Sequence, residues 1–388
     1  MYVALFLPSL SGGGAQRRLL NLASGFSSRR HRIDLIVGSA DGAFLSQVPA
    51  SAELVCLGSR CSQWPIVRHR RGLWVPALVP SLARYLAARK PEVLFTTSTP
   101  ANLTALGARA VARTATPVVV SVNVHLTAST DRRRRIYGPV VRRLAASIYP
   151  RAEAIVAISE GVASDLRAAA RVPKDRIVVI DNPLDFAGIQ RAAADPVEHP
   201  WLQPAQPPVV LAVGKLKIQK DFPTLLRAFA RVVRRRPARL VMLGEGEERK
   251  RLQTMVMRMG MAEIVSMPGF VANPFGWMAR ASVFVLSSAW EGLSNALLEA
   301  LACGCPVVST DCPCGPRHVL ANGAYGPLVP VGDDAAMAEA ILSLLANPPP
   351  AERLKARAAS FSFDRAVDRY LTVLEAASRS RSIGWPGQ

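Results

Sequence analysis

The sequence predicts an α/β protein made of two doubly wound parallel sheets, each with its own core. Three observations carry this reading. Short apolar runs of strand length alternate with helical patterns along most of the chain. The alternation pauses once, across Pro196, Pro200, Pro204, Pro207 and Pro208, and then restarts. The chain has 388 residues, more than one core usually holds and enough for two.

The elements follow in order. Tyr2 to Pro8 reads as a buried strand that runs into Ser11-Gly12-Gly13-Gly14, with Ala15 to Phe26 as the helix behind it. Strands are predicted at Ile33 to Val37, Val93 to Phe95, Val118 to Val122, Ile155 to Ile158 and Ile177 to Ile180, with a helix over Asn102 to Arg113. After the proline-rich stretch come strand Val209 to Val213, helix Phe222 to Arg234, strand Arg239 to Leu243 and helix Glu247 to Met259. Ile264 to Met267, Val283 to Leu286 and Pro306 to Val308 complete the strands; Ala296 to Ala302 and Phe363 to Ala377 are helices. The expected division is 1–185, a linker at 186–208, a second domain at 209–362, and a final helix and tail at 363–388. Two such domains imply an interdomain cleft, with ligands at the carboxyl ends of the strands.

Composition removes several classes. Hydrophobic residues make up 50% and charged residues 20%, too apolar for a disordered chain. No apolar run reaches the roughly 20 residues that span a bilayer. Met1 to Leu10 reads as a first strand and not a signal peptide, because no basic segment precedes it and no A-x-A site follows. Six Cys do not make a disulfide scaffold in a chain of this length, so a reduced, cytosolic protein is expected.

The charge is lopsided, with 48 Lys+Arg against 28 Asp+Glu. Residues 60–151 alone carry 16 basic and 2 acidic side chains. That window holds Arg68-His69-Arg70-Arg71, Arg132 to Arg135, Arg142-Arg143, Trp64, Trp74 and the apolar run Leu73 to Leu86. Basic residues beside Trp and Leu suit an anionic membrane surface. Nucleic acid attracts the same charge, but no C2H2, homeodomain or RRM signature is present, so no nucleic-acid partner is expected. The plain alternative is solvated arginine-rich faces.

The stretch Glu291-Gly-Leu-Ser-Asn-Ala-Leu-Leu-Glu299 is the most informative. Gly292 to Asn295 offer backbone N–H groups at a helix start, a ready anion site, flanked by two carboxylates. That combination suits a ligand with phosphates and hydroxyls, which describes a sugar nucleotide. Gly214-Lys215-Leu-Lys-Ile-Gln-Lys220 follows the first strand of the second domain and holds three of the chain's seven Lys. Lys215 and Lys220 are placed to meet a diphosphate. Gly12-Gly13-Gly14 lets backbone approach a phosphate, but it is neither G-x-G-x-x-G nor a P-loop. His125 ends an apolar run, where a polar side chain lines a cleft or is simply structural. Cys303-Gly-Cys305 and Cys312-Pro-Cys314 have C-x-C spacing, which fits buried small hydrophobes better than a zinc site. No metal site is expected.

Together these residues resemble the retaining glycosyltransferases of the GT-B fold, in the large family 4-like, group 1 set that builds surface polysaccharides and lipid-linked oligosaccharides. Trp290-Glu291-Gly292 through Glu299-Ala300 looks like its E-x7-E motif. Cys303 to Val308, Thr310 to Arg317 and Val331-Gly332-Asp333 look like the segments that follow it. Ile158-Ser159-Glu160-Gly161 and Asn182-Pro183 fit before the proline-rich stretch.

The resemblance implies roles. Lys215, standing where Arg is usual, and Lys220 would bind the donor diphosphate; the Lys loses the bidentate fork of an Arg. Glu299 would hold the ribose hydroxyls, and Glu291 hydroxyls of the transferred sugar. Backbone amides from Leu293 through Ser294 and Asn295 to Ala296 would take the phosphates, beside Gly292 and Gly214. Gly13 and Gly14 match the N-terminal Gly-rich loop, His125 a His that contacts the donor sugar, and Phe270-Val271 the place where the base packs. His125, Glu291, Lys215 and Lys220 would be the catalytic set. No cofactor is implied beyond the nucleotide-sugar substrate, and no D-x-D triplet is present. The last helix would cross back to the first domain, and domain closure would exclude water. The expected acceptor is a polyprenyl-diphosphate-linked or other glycan, met by an enzyme peripheral on the cytoplasmic face of the membrane. Two other readings remain at this point: a GT-B sugar-nucleotide epimerase, and a basic nucleic-acid-binding protein.

Overall fold

The computed structural model describes residues 1–11, 14–40, 42–58, 75–131, 137–203 and 205–379. The chain divides into two units: Met1–Pro183 together with Asp364 onward, and Leu184–Phe363.

The first unit holds one parallel sheet. Its strands are β1 (Tyr2–Leu7), β2 (Arg32–Val37), β3 (Ala52–Cys56), β4 (Val93–Thr97), β5 (Val118–Val122), β6 (Ala154–Ala157) and β7 (Ile177–Val179). They lie in the order β3-β2-β1-β4-β5-β6-β7. β4 and β5 are buried along their whole length, as expected of strands covered on both faces. β3 is an edge strand with Glu53 and Leu54 exposed, and the sequence reading misses it because it carries no continuous apolar run.

The final helix, Phe363–Arg379, packs on this first unit with Ala366, Val367, Tyr370, Leu371, Leu374 and Ala377 buried. That spacing is one apolar stripe of an amphipathic helix. Tyr370 meets Phe95 edge to face at 5.6 Å, and Arg29 bridges to Asp364 at 3.0 Å and Asp368 at 2.6 Å.

The second unit holds β8 (Val209–Val213), β9 (Arg239–Leu243), β10 (Val265–Gly269), β11 (Val283–Leu286), β12 (Val307–Thr310) and β13 (Leu328–Val329), in the order β10-β9-β8-β11-β12-β13. Helix Phe222–Val233 turns Phe222, Leu225, Leu226, Phe229 and Val232 inward, each worth about 1.5–3 kcal/mol of apolar burial. Its outer face carries Arg227 and Arg231, both paired to Asp334. The two sheets share one feature. Strand order reverses at β1/β4 in the first and at β8/β11 in the second, the switch points where open parallel sheets leave a crevice.

Two expectations need correction. The stretch 186–208 is not a bare linker. Phe186–Ala193 forms a helix capped by Asp185, whose carboxylate accepts from the Gly188 N–H at 2.9 Å. Asn273 donates to the Ala192 carbonyl at 2.9 Å, and His199 packs between Trp201 and Trp277. The prolines sit in turns while an amphipathic helix and an aromatic cluster fold the segment onto the second unit. The apolar run Leu73 to Leu86 is not a membrane-facing surface where it is described. Val79–Arg89 is a helix, and Leu78, Leu82 and Leu86 are fully buried in the first core. Trp64, Trp74, Arg68 to Arg71 and Arg132 to Arg135 lie outside the described residues.

Candidate active site

The chemistry-bearing residues of the second unit gather at its β8/β11 switch point. β8 exits into Gly214 and Lys215. Gly244, after β9, has φ +136°, and a Cβ there would stand 2.0 Å from the Gly214 carbonyl oxygen. The two exit loops are therefore pressed together, and only glycine fits. A short turn, Ile218–Lys220, ends at Asp221 with φ +43° and starts helix Phe222–Val233. A Cβ on Gly214 would lie 3.0 Å from Lys220 Cε, so the lysine stem runs across this glycine.

Lys220 meets Glu291, which follows β11. Nζ lies 2.6 Å from Oε1, with the two side chains 13% and 8% exposed. Ser288 Oγ donates to the same Oε1 at 2.6 Å. Gln219 Nε2 donates to the Trp290 carbonyl at 2.8 Å. The loops are tied at the backbone as well: Ser287 Oγ donates to the Lys220 carbonyl at 2.7 Å, and the Ala289 N–H to the Gln219 carbonyl at 2.8 Å. Thr310, at the end of β12, donates to the Ser288 carbonyl at 2.6 Å. A buried pair with this many supports is a fixed one. An ammonium has three N–H donors, and Glu291 takes one direction.

Helix Asn295–Ala302 begins next to this pair. Ser294 stands at its N-cap, its Oγ buried and without a hydrogen-bond partner among the described residues, and no acid sits in the first turn. The helix start is thus not capped by the Ser294 side chain. Gly292, Leu293 and Ser294 are buried, Asn295, Ala296 and Glu299 half-buried. Gly315, with φ +75°, lies so close that a Cβ would stand 2.8 Å from the Gly292 carbonyl. Phe270 is 57% exposed just after β10, on the same carboxyl edge, and Val271 beside it is half-buried. Lys215 is exposed beside Gly214.

Cys303, Cys305 and Cys312 are buried free thiols. Burial, with the Glu291 charge behind it, pushes the Cys312 thiol up to about 12. Burial raises the Cys303 thiol to about 12 and the Cys305 thiol as well. They remain protonated and act as small hydrophobes. Among the described residues no group of three or more His, Cys, Asp or Glu is placed to hold a metal ion.

In the first unit, His125 follows β5 and precedes helix Leu126–Asp131. Its Nδ1 accepts from the Ala128 N–H at 3.2 Å and lies 3.3 Å from Asp165 Oδ1. Asp165, 4% exposed at its side chain, accepts from the backbone N–H groups of Leu126 and Thr127 and from Thr127 Oγ1 at 2.6 Å. Those three donors satisfy the carboxylate without the imidazole. Nδ1 is thus held against the turn by Ala128 and Asp165, and the ring is fixed from that side. Asp165→Ala removes three bonds to a charged acceptor and is expected to lower stability by about 3 kcal/mol. Urea unfolding checks this; an unchanged midpoint would mean the turn stands without the carboxylate.

Nearby, Arg18 of helix Gly14–Ser28 is 2% exposed and reaches the carboxyl ends of β4 and β5. It donates to Thr97 Oγ1 at 2.7 Å, Asn182 Oδ1 at 2.8 Å, Ser121 Oγ at 3.0 Å and Asn123 Oδ1. Burial lowers its pKa from the usual guanidinium value.

Of the residues named from sequence, the structure joins Lys220, Glu291 and Gly214, and lines Gly292 to Ala296 and Glu299 along the adjoining helix start. His125 belongs to the other unit. Gly14 is the exposed first residue of helix Gly14–Ser28, and Gly13 lies outside the described residues. Gln219, Ser288, Asp165 and Arg18 went unnoticed. A glutamine or serine beside a motif carries no signal of its own, and Arg18 looked like any other arginine.

Residues 207–347 match the family described as "Glycosyl transferases group 1", and residues 12–187 match "Glycosyltransferase Family 4". The N-acetylgalactosamine-N,N'-diacetylbacillosaminyl-diphospho-undecaprenol 4-alpha-N-acetylgalactosaminyltransferase of Campylobacter jejuni is 26% identical over 366 residues, covering 94% of this chain and 96% of that protein. The lipopolysaccharide core biosynthesis glycosyltransferase LpsE of Rhizobium meliloti is 35% identical over 207 residues, 52% of this chain and 58% of that protein. HepE from Anabaena, solved in complex with UDP, superposes with a TM-score of 0.71 at 20% identity, covering 97% of this chain and 100% of that one. Sucrose-phosphate synthase from Thermosynechococcus elongatus gives 0.79 at 17% identity, over 97% and 99%. These solved structures share the GT-B fold. The fold and the paired matches define a sugar-transferring enzyme: the chain belongs to the group 1 glycosyltransferases, the family 4-like set of the GT-B class.

Proposed function

We propose that this glycosyltransferase moves a hexose or N-acetylhexosamine from a UDP-linked donor to a polyprenyl-diphosphate-linked glycan, with retention of anomeric configuration. The observation that carries the reading is the Lys220–Glu291 pair, fixed at the second sheet's switch point beside the start of helix Asn295–Ala302. The UDP bound in HepE and the lipid-diphosphate acceptor in the name of the Campylobacter relative support the choice of donor and acceptor.

Cleaving a sugar–diphosphate bond leaves negative charge on the departing phosphate and oxocarbenium character on the sugar. Lys220, Lys215 and the N–H groups from Leu293 to Ala296 meet that negative charge. Glu291 accepts from hydroxyls of the sugar, and its pairing with Lys220 and Ser288 keeps it pointed. Glu299 accepts from the ribose. His125 contacts the donor sugar. With no carboxylate assigned as nucleophile, the acceptor hydroxyl attacks from the face the diphosphate leaves, and the leaving phosphate takes its proton. The donor is the substrate, and no cofactor takes part in this scheme.

The enzyme would work peripherally on the cytoplasmic leaflet in polysaccharide or glycolipid assembly. Among the described residues no helix is long and apolar enough to cross a membrane. NMR of the product tests the stereochemistry: an inverted anomer would end the front-face scheme. Glu299→Ala is expected to weaken UDP binding roughly ten- to a hundredfold, the loss of a charge-assisted contact. Calorimetry reads it, and unchanged affinity would remove Glu299 from the donor site.

A further inference from the structure

The first unit holds an open cavity of about 810 Å³ that the roles above leave without an occupant. Thr127, Pro139, Arg142, Arg143, Ala146, Ser147, Ala169 and Arg171 line it. Three are guanidiniums, and among the described lining residues none is acidic. Guanidinium forks match phosphate oxygens in pairs, and three around one cavity favour an anion with more than one charge. The hydroxyls are already engaged as donors: Thr127 Oγ1 to Asp165, Ser147 Oγ to the Arg143 carbonyl. Recognition of an anion here thus falls to the arginines.

Helix Tyr137–Ile148 supplies most of the lining, at Pro139, Arg142, Arg143, Ala146 and Ser147, one face at helical spacing. The neighbouring strip of the same helix carries Val140 and Leu144, one turn apart and 55% and 43% exposed. A free phosphate or a nucleotide has no use for that aliphatic strip. An amphiphile with an anionic head and an apolar tail uses both. The volume exceeds that of a diphosphate and leaves space for an attached sugar.

We propose that this cavity binds the diphosphate of a polyprenyl-linked acceptor, with the first isoprene units against Val140 and Leu144. The proposal rests on the acceptor named above and deepens it, by giving that acceptor an address on helix Tyr137–Ile148. Arg142, Arg143 and Arg171 hold the head group; the chemistry at the sugar is left to other residues.

The test is co-sedimentation of the full chain with phosphatidylcholine vesicles of three kinds. The first carries a few mole per cent undecaprenyl diphosphate, the second undecaprenol, and the third phosphatidylglycerol matched in charge to the first. Wild type is expected to bind the first at least tenfold more tightly than the third, and the second not measurably. Removing one charge-assisted contact costs roughly tenfold, so Arg142→Gln, Arg143→Gln and Arg171→Gln should each erode the preference and the triple variant should abolish it. Val140→Ser with Leu144→Ser should weaken binding to undecaprenyl diphosphate and leave phosphatidylglycerol binding as it was. A thermal melt and UDP calorimetry on each variant report folding and the donor site separately. Equal binding to the first and third vesicles would overturn the proposal in favour of a general anionic surface, and so would a triple variant that keeps the preference. If wild type transfers sugar to a lipid-free glycan yet ignores undecaprenyl diphosphate, the cavity assignment falls and the transferase reading stands. If it binds undecaprenyl diphosphate through these arginines but transfers no sugar to any lipid-linked glycan, the assignment stands and the acceptor reading falls.

Discussion

Lys220→Met is expected to lower the unfolding free energy by about 3–5 kcal/mol, because it strands Glu291 in a buried site with its charge uncompensated. Glu291→Met strands Lys220 in turn and should cost a similar amount. The informative variant is the double one. Lys220→Met with Glu291→Met removes both charges and places two apolar side chains of fitting volume where an 8% exposed carboxylate and a 13% exposed ammonium stood. A buried ion pair exchanged for packed apolar groups is often neutral or better. The double variant should therefore unfold at a higher urea concentration than either single one while transferring no sugar. A double variant as unstable as the singles would mean that Gln219 and Ser288, and not the ion pair, govern the site's stability. A double variant with sugar-transfer activity would remove the pair from the chemistry.

The second large effect belongs to Arg18. Arg18→Met takes away a cation whose partners are all neutral: Thr97, Ser121, Asn123, Asn182 and, at 3.5 Å, the Tyr370 hydroxyl. Two terms oppose each other. Removing the guanidinium relieves the cost of burying a charge. It also takes away four bonds from a charged donor to Thr97, Ser121, Asn123 and Asn182, each worth about 1.5–3 kcal/mol, and leaves a void where the head group was. Thr97, Ser121 and Asn123 keep bonds among themselves, Ser121 Oγ to Asn123 Oδ1 at 3.1 Å among them, but the charge-assisted bonds go all at once. The second set wins, for a net loss of about 3 kcal/mol in urea unfolding. Arg18→Lys should do little better, since one compact ammonium cannot reach acceptors that a planar fork spans. A lysine variant with wild-type stability would show that charge alone suffices there.

The strands were the most legible part of this sequence, for a physical reason. Buried parallel strands such as Val118–Val122 are continuous apolar runs, and nothing else of that length reads the same way. Ala52–Cys56 and Leu328–Val329 were invisible because an edge strand of two to five residues has no such run to show. The proline-rich stretch misled because proline density marks irregular backbone, not whether that backbone is packed. At the site, Glu291 and Glu299 were visible through their spacing and Lys220 through the rarity of lysine. Asp165, Gln219 and Ser288 gain their meaning from partners across the fold. Asp165 meets Leu126 from 39 positions away, and Gln219 meets Trp290 from 71. Spacing along the chain holds no trace of such meetings.

The arginine buried in the first unit has one more consequence. Both sheets have the same strand-order reversal, and each holds a cation at the carboxyl ends of its strands, Arg18 at β4 and β5 and Lys220 beside the loop after β11. In the second, the cation is answered by a carboxylate that stands three residues before the N-cap of helix Asn295–Ala302. In the first, it is spent on neutral side chains and sealed from water. At 2% exposure, Arg18 thus offers no face to an incoming anion, while Lys220 keeps N–H directions that Glu291 does not take.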